Sequence, residues 1–279
     1  MARSRLLVAF DASAVAGASL SRGLGGMRLR AAARVPLPDA ALVPGALEPN
    51  LRAREAVVES LARLRQALGS PDAPAALILP DGVGRMQLLE VPSGADAQEF
   101  ARFRLGPTLP YAATEAVVDV LLVGRERALA AAVRRAIVEE YEVAASTAGF
   151  AQDGVDLAPL AALAAMGRRV DGADRVDAVL GDAAYSLAAF SDGALRLFRT
   201  RRREPGLDEA RRIADEIART ADLAGIEAQP RVRAVGPGAL ALVSQLAAAG
   251  WRAAPGWDAE RDGLPMPAAE LPWLGPALG

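Results

Sequence analysis

Two aspartates occupy matching places in the sequence and supply a candidate for metal chemistry. Asp11 follows the apolar run 6–10, and Asp182 follows the run 177–181. If both runs are strands that face each other, two carboxylates on opposing hairpins are suited to hold a hydrated divalent cation, because Mg²⁺ favours one or two carboxylates plus water. The alternative is that each aspartate only caps a tight turn through side-chain-to-backbone hydrogen bonds.

The elements before and after Asp11 form a simple pattern. Short apolar runs separated by turn residues predict an antiparallel meander of three strands over 6–10, 15–20 and 27–36. Apolar residues at helical spacing predict an amphipathic helix over 51–68. The apolar run 75–79 predicts a strand buried on both faces. Together these elements predict a β-α-β crossover after the meander.

The middle of the chain predicts a small α+β module. Its elements are strands at 86–91, 117–123 and 128–133 and a helix over 96–105. A helix over 134–148 ends at Gly149, and a strand over 151–156 precedes a helix that begins near Ala158. The segment 168–175 is interpreted as a linker and as the main boundary of the chain.

After this linker the opening pattern returns. Strands are predicted at 177–181, 184–190 and 194–200, followed by a helix over 207–224, a strand at 232–235, the turn Gly236-Pro237-Gly238 and a helix to 249. We expect Asp182 to take the place in this second meander that Asp11 takes in the first. The sequence therefore indicates an internal repeat with two similar halves that face each other.

The composition excludes several kinds of site. The 279-residue chain has no cysteine and no histidine, and all its basic residues are arginine. It cannot form a disulfide, a Ser-His-Asp triad, a Walker A loop or a Schiff-base lysine, and almost every zinc site is excluded. A net charge of −2 gives no general attraction to nucleic acid. No apolar stretch predicts a signal peptide or a membrane span.

The order of these segments resembles the actin-like ATPase superfamily, in its PilM and FtsA branch. This resemblance covers most of the chain, and its segments are Leu7 to Asp11, Leu77 to Pro80, Arg85 to Pro92, Phe103 to Tyr111, Glu115 to Asp119, Gly149 to Leu157, Gly181 to Ser186, Phe190 to Gly193, Phe198 to Thr200 and Val235 to Ala239.

The resemblance implies an α/β, actin-like (ribonuclease H-like) fold of two lobes with an internal duplication. It implies a first-lobe subdomain over 1–81 with 153–172, an inserted α+β subdomain over 82–152, and a shortened second lobe over 173–279 with a Pro- and Trp-rich C-terminal tail. If a nucleotide binds, the resemblance assigns its contacts to Asp11, Ser13, Asp182, Gly236 and Gly238. Asp11 and Asp182 would then also hold the metal.

This sequence departs from the family at the nucleotide loops. Active relatives have Asp-x-Gly in the first loop, where glycine lets a backbone amide approach phosphate, but here the loop is Asp11-Ala12-Ser13. The second loop has Ala183 and Ala184 followed by Tyr185, whose ring we expect to occlude the site. Pro237 removes a backbone donor from the third loop. We therefore expect a pseudo-ATPase with no catalytic residues and no cofactor, the alternative being a switch that uses ATP with Mg²⁺.

The family resemblance also implies a partner and a place in the cell. It implies a cytoplasmic scaffold at the inner-membrane face, peripheral to the membrane, that binds the cytoplasmic N-terminal tail of a PilN-like membrane protein and has the capacity to self-associate. The expected groove lies between the strand at 85–91 and the helix at 156–166. A cytoplasmic domain of a type II secretion system, of the GspL type, is the alternative within the same class.

Overall fold

The computed structural model describes residues 4–23, 26–69, 72–167, 173–204, 206, 208–226 and 229–256. Most of the predicted linker and the Pro- and Trp-rich tail after Gly256 lie outside these residues. Among the described residues there are two five-stranded sheets and one three-stranded sheet. No helix within the same ranges has the length and apolar character needed to cross a membrane.

The first predicted meander and crossover are confirmed. The elements, in chain order, are β1 (Ser4–Phe10), β2 (Ala14–Gly23), β3 (Gly26–Pro36), α1 (Arg54–Leu68) and β4 (Pro74–Leu79). The first three strands pair antiparallel, and β4 pairs parallel with β1. Helix α1 begins at Arg54 instead of Leu51, because Leu51 forms a β-bridge with Leu42. It ends at Gly69, whose φ of 62° is the left-handed conformation common after a helix.

The middle module is confirmed as a three-stranded sheet with one helix. It contains β5 (Gly84–Glu90), α2 (Ala97–Leu105), β6 (Ala116–Leu122) and β7 (Arg127–Arg134), with the strand order β5-β7-β6. Helix α2 packs on one face, where Ala101 and Leu105 contact Val118 in a small core. β5 and β6 are therefore the edges of this sheet.

The chain then returns to the first sheet through α3 (Arg135–Thr147), β8 (Ala151–Leu157) and α4 (Ala158–Gly167). Strand β8 pairs parallel with β4 and forms an edge, which gives the order β3-β2-β1-β4-β8. Helix α4 contacts β4 and β8 of this sheet and also the next two strands of the chain. It therefore lies between the two large sheets.

The second half repeats the topology of the first. Its elements are β9 (Arg175–Leu180), β10 (Ala184–Ser191), β11 (Ala194–Arg202), α5 (Glu209–Leu223), β12 (Arg231–Val235), α6 (Ala239–Ala248) and β13 (Ala253–Pro255). The order is β11-β10-β9-β12-β13, with an antiparallel meander and a parallel β12 beside β9. The predicted internal repeat is thus present in the structure.

The two halves share apolar packing. The largest core combines the first sheet, α1, α3 and α4 with Val179, Leu195, Phe198 and Val235 of the second half. A separate core on the other face of the second sheet packs β9, β10 and β12 against α5 and α6. The shared core fixes the cleft where the ends of β1, β4, β9 and β12 meet.

Candidate functional site

The candidate site is a cavity between the two halves, formed by four loops that follow β1, β4, β9 and β12. Its volume is about 360 Å³. Because parallel strands of one sheet end at the same edge, the repeat brings all four loops to a common place. Three of the residues to which the resemblance assigns nucleotide contacts, Asp11, Asp182 and Gly238, line the cavity, and Asp81 lines it as well.

The first loop is a tight connection from β1 to β2. The Asp11 amide donates to the carbonyl of Ala14 at 2.9 Å, which closes the hairpin. The Ala12 amide donates to the carboxylate of Asp11 itself at 2.9 Å. Asp11 therefore caps its own turn, the structural role that sequence analysis offered as the alternative. The Ala12 amide is occupied by this contact.

The second loop corrects the predicted correspondence between Asp11 and Asp182. The Gly181 amide donates to Ala184, as the Asp11 amide donates to Ala14. In the strand register Tyr185 pairs with Leu180, as Val15 pairs with Phe10. Gly181 therefore occupies the place of Asp11, and Asp182 lies one residue later. Gly181 and Asp182 are adjacent, so the sequence alone could not show which of the two matches Asp11.

Tyr185 does not occlude the cavity, contrary to the prediction. Its side chain is buried in the core between the second sheet and α5 and α6. Side chains alternate along a strand, so Ala184 faces the cleft side and Tyr185 the opposite side. Immediately before β10, Ala183 lines the cavity together with Gly181 and Asp182.

Polar contacts join the two halves across the mouth of the cavity. The hydroxyl of Ser13 donates to Asp182 Oδ2 at 3.1 Å, and Arg34 donates to the same hydroxyl at 2.9 Å. Burial, a hydrogen bond with Asp182 and the negative charge of Asp182 together raise the pKa of Asp11 to about 8, and the hydrogen bond from the Ala12 amide acts in the opposite direction. At neutral pH Asp11 is therefore largely protonated and can share that proton with Asp182.

Asp81 is the site residue that sequence analysis missed. It is 5% exposed, and neither carboxylate oxygen has a hydrogen-bond partner among the described residues. Burial, followed by the negative charge of Asp182, raises its pKa to about 7, while the positive charge of Arg203 lowers it. A side chain at Gly181 would collide with this carboxylate, since a Cβ there would lie 2.0 Å from Asp81 Oδ2.

The repeat explains where Asp81 lies. Ala9 pairs with Ile78 in the first sheet, and Val179 pairs with Val235 in the second. Counting on from these pairs, Leu79-Pro80-Asp81 matches Gly236-Pro237-Gly238, so Asp81 corresponds to Gly238. An alignment of the two halves that extended beyond the hairpins would have found this match.

Gly236 and Gly238 shape the loop that follows β12, which the sequence analysis named the third nucleotide loop. Gly236 has a φ of 97°, and a Cβ there would lie 1.9 Å from the carbonyl oxygen of Leu180, so no other residue fits. Arg203 fixes the loops of this half by donating to the carbonyl of Gly181 at 2.7 Å and by pairing with Glu209 at 2.6 Å. Arg203 therefore holds the loop after β9 against the start of α5 on the second-half side of the site.

The chemistry of this cavity is that of carboxylates. Asp11, Asp81 and Asp182 influence one another electrostatically. Within the described ranges, no group of three acidic side chains has the spacing needed to hold a metal ion. The predicted pair Asp11 and Asp182 is brought together, but as a hydrogen-bonded pair. Ser13 contacts it, whereas Gly236 shapes the backbone.

A second surface lies where β6 and β8 form the open edges of their sheets. Val117 and Leu121 are exposed on the face of β6 opposite α2, and Asp119 lies between them. Burial raises the pKa of Asp156 on β8, and the charge of Asp119 raises it further, so the two carboxylates are near each other. We call this surface the β6 face; it lies at the opposite edge of its sheet from the predicted strand at 85–91.

The comparisons with known proteins bear on the fold. No family profile matches the chain, and no curated protein matches its sequence. The fold is similar to a solved PilM-PilN type IV pilus biogenesis complex, with a TM-score of 0.74 and 19% identity over 98% of this chain and 97% of that chain. It is also similar to a Bacteroides thetaiotaomicron protein with an actin-like ATPase fold, with a TM-score of 0.62 and 9% identity over 99% and 96%.

A third structure is the cytoplasmic domain of EpsL, an inner-membrane component of the type II secretion system of Vibrio cholerae. The TM-score is 0.52 at 12% identity, over 84% of this chain and 82% of that chain. The first two likenesses cover nearly all of this chain, and therefore both halves and the middle module. The chain therefore has the actin-like ATPase fold, in the form seen in the PilM-PilN complex.

Proposed function

We propose that this chain is a cytoplasmic scaffold at the inner-membrane face of a type IV pilus assembly platform. In this role it binds the cytoplasmic N-terminal tail of a PilN-like membrane protein. The observation that carries the proposal is the match to the PilM-PilN complex along nearly the whole of both chains. The similarity to EpsL keeps a type II secretion platform as the alternative within the same class.

We also propose that the scaffold works without nucleotide, as a pseudo-ATPase. Phosphate binding in a hairpin loop needs free backbone amides and nearby cations. Here the Ala12 amide donates to Asp11, and the unpartnered charge of Asp81 lies against Gly181, among the residues described. Asp11 shares a proton with Asp182, so this pair keeps some negative charge, and Asp81 is a further acidic group beside it; the cavity therefore opposes a triphosphate.

Nucleotide binding tests this part of the proposal. We expect a fluorescent ATP analogue to show no saturable binding, with or without Mg²⁺, at protein concentrations of about 100 µM, which detect affinities near the millimolar range. Saturable binding that requires Mg²⁺ and is lost in Asp11→Asn would contradict it. The chain would then be an ATP-dependent switch that uses Asp11 and Asp182.

The β6 face is the docking surface that we propose for the partner tail. An extended peptide can add to an open sheet edge, because unpaired backbone groups supply hydrogen bonds and side-chain pockets supply selectivity. Val117 and Leu121 offer apolar contacts, and Asp119 and Asp156 favour a basic residue in the peptide. This surface lies beyond the predicted strand at 85–91, which packs against β11 of the second half.

A single charge on the β6 face should weaken tail binding. We expect Leu121→Asp to lower affinity for a synthetic PilN-like tail peptide at least about tenfold, because a buried contact would then hold an unpaired carboxylate. Fluorescence anisotropy with a labelled peptide measures this. Leu223→Asp is the matched control, since Leu223 on α5 is 66% exposed and Leu121 is 55% exposed. Equal affinity of the two variants would exclude this surface.

Capture from native membranes tests the whole function. The immobilised chain is expected to enrich a membrane protein with one span and a short cytoplasmic N-terminal tail. Enrichment should be lost with Leu121→Asp and kept with Leu223→Asp. If the parent chain and both variants enrich the same proteins, or none of this architecture, the scaffold proposal fails.

A further inference from the structure

A second cleft lies between the inserted sheet and the second half. Strand β5 is an edge of the inserted sheet, and β11 is an edge of the second five-stranded sheet. The two strands contact each other, yet no backbone hydrogen bonds pair them among the described residues. Between them is a cleft of about 670 Å³, which is larger than the cavity that Asp81 lines. We call it the β5–β11 cleft.

The length of this cleft suits an extended chain. Its walls include four consecutive residues of β5, 84–87, and five of β11, 198–202. At about 3.3 Å per residue, these walls run for about 13 to 16 Å, the length of four or five residues of extended peptide. Because both strands are edges, they also have backbone donors and acceptors that the described strands do not use. An extended peptide therefore fits the cleft better than a compact ligand.

The charge along this cleft is positive. Within the described ranges no acidic residue lines it, whereas four arginines do: Arg85, Arg199, Arg201 and Arg202. Glu216 on α5 pairs with Arg199 at 3.4 Å and with Arg201 at 3.3 Å. Arg85 and Arg202 are exposed, and their guanidinium groups have no hydrogen-bond or ion-pair partner in the part of the chain that the structure describes. Each wall of the cleft therefore carries one accessible cation that is not neutralised there.

We propose that the β5–β11 cleft binds an extended acidic segment of a protein partner. Guanidinium groups form charge-assisted hydrogen bonds with the carboxylates of Asp and Glu, so Arg85 and Arg202 supply the main contacts from the two walls. The β6 face lies at the opposite edge of the inserted sheet and favours a basic residue, so the two surfaces select different peptides. The inference depends neither on the pilus assignment nor on the docking of a tail at the β6 face.

Fluorescence anisotropy of the full chain tests the inference with a labelled peptide of alternating Glu and Thr at low ionic strength. We expect saturable binding that weakens as salt is added, and no binding of the matched peptide in which Gln replaces Glu. The double substitution Arg85→Gln and Arg202→Gln should weaken binding about fivefold or more, because two exposed ion pairs are lost. Both arginines are exposed and unpaired among the described residues, so this variant should keep the thermal melt of the parent chain.

The matched control is the double substitution Arg102→Gln and Arg104→Gln. These two arginines are exposed on α2, do not line the cleft and give the same change in net charge. We expect the control to change affinity less than about twofold. Equal weakening by the two double variants, or no saturable binding of the Glu peptide, overturns the inference. Binding of tripolyphosphate that depends on Arg85 and Arg202, without binding of the peptide, also overturns it and assigns the cleft to a small anion.

Discussion

We expect the free energy of unfolding to fall as the pH rises from about 4 to about 8, and we expect Asp81→Asn to reduce this loss. Burial, together with the neighbouring Asp182, raises the pKa of Asp81 from 3.8 to about 7 and that of Asp11 from 3.8 to about 8. The folded state therefore holds these protons to a higher pH than the unfolded chain. The stabilisation is complete below about pH 4 and is lost as the pH rises through 7 and 8.

The difference in the free energy of unfolding between the parent chain and Asp81→Asn separates the contribution of Asp81 from that of the other carboxylates. For a pKa raised from 3.8 to about 7, the expected loss is about 4 kcal/mol across that interval. The variant should match the parent near pH 4.5 and be more stable by a few kcal/mol near pH 8.5. Urea unfolding followed by circular dichroism measures this at both pH values.

The control for this experiment is Asp222→Asn, on the exposed side of α5. Its difference from the parent should stay within about 0.5 kcal/mol at both pH values. If the curves of the parent and Asp81→Asn run parallel from pH 4.5 to 8.5, Asp81 does not change its protonation on folding. The account of its burial in the cavity would then be wrong.

Removal of the buried charge at Asp177 should destabilise the second half strongly. Asp177 lies in β9 with no exposed surface, and it accepts from Arg233 at 2.8 and 2.6 Å and from Arg175 at 3.3 Å. Arg175 is also stacked 3.9 Å from the centre of the Phe190 ring. Asp177→Ala is expected to cost about 3–5 kcal/mol, because two buried arginines lose their carboxylate.

Asp192→Asn is the comparison for this second prediction. Asp192 is paired with Arg196 at 3.7 Å, but its side chain is 89% exposed, and exposed pairs contribute little. Its φ of 52° suits asparagine as well as aspartate. We expect this substitution to lower the free energy of unfolding, measured with urea, by less than about 0.5 kcal/mol. Equal effects at Asp177 and Asp192 would show that the buried cluster is not a main support of the second sheet.

The repeat and its strands follow from local patterns in the sequence. The apolar runs at 6–10 and 75–79 have the length of strands, and the spacing of Val57, Leu61, Leu64 and Leu68 has the period of a helix. These patterns depend on neighbours in the chain, which a sequence displays. The elements, the middle module and the repeat could therefore be predicted from local patterns, whereas the two-lobed fold was implied by the family resemblance.

The details of the site depend on contacts between distant segments. Pro80-Asp81-Gly82 has the composition of an ordinary exposed turn, and only the shared core brings Asp81 against Gly181. The register between β9 and β10 decides that Gly181, and not Asp182, matches Asp11. The same register decides that the side chain of Tyr185 points away from the cavity. Apolar periodicity cannot resolve a shift of one residue in a loop.

The core that spans both halves has a mechanical consequence. Leu195 and Phe198 of the second half are buried in the same core as α4 and the first sheet, and Arg127 of the middle module donates to the Leu195 carbonyl. A hinge rotation that opened the cleft between the two halves would expose this apolar surface to water. A force applied to the inserted sheet would therefore move both halves together as one rigid body.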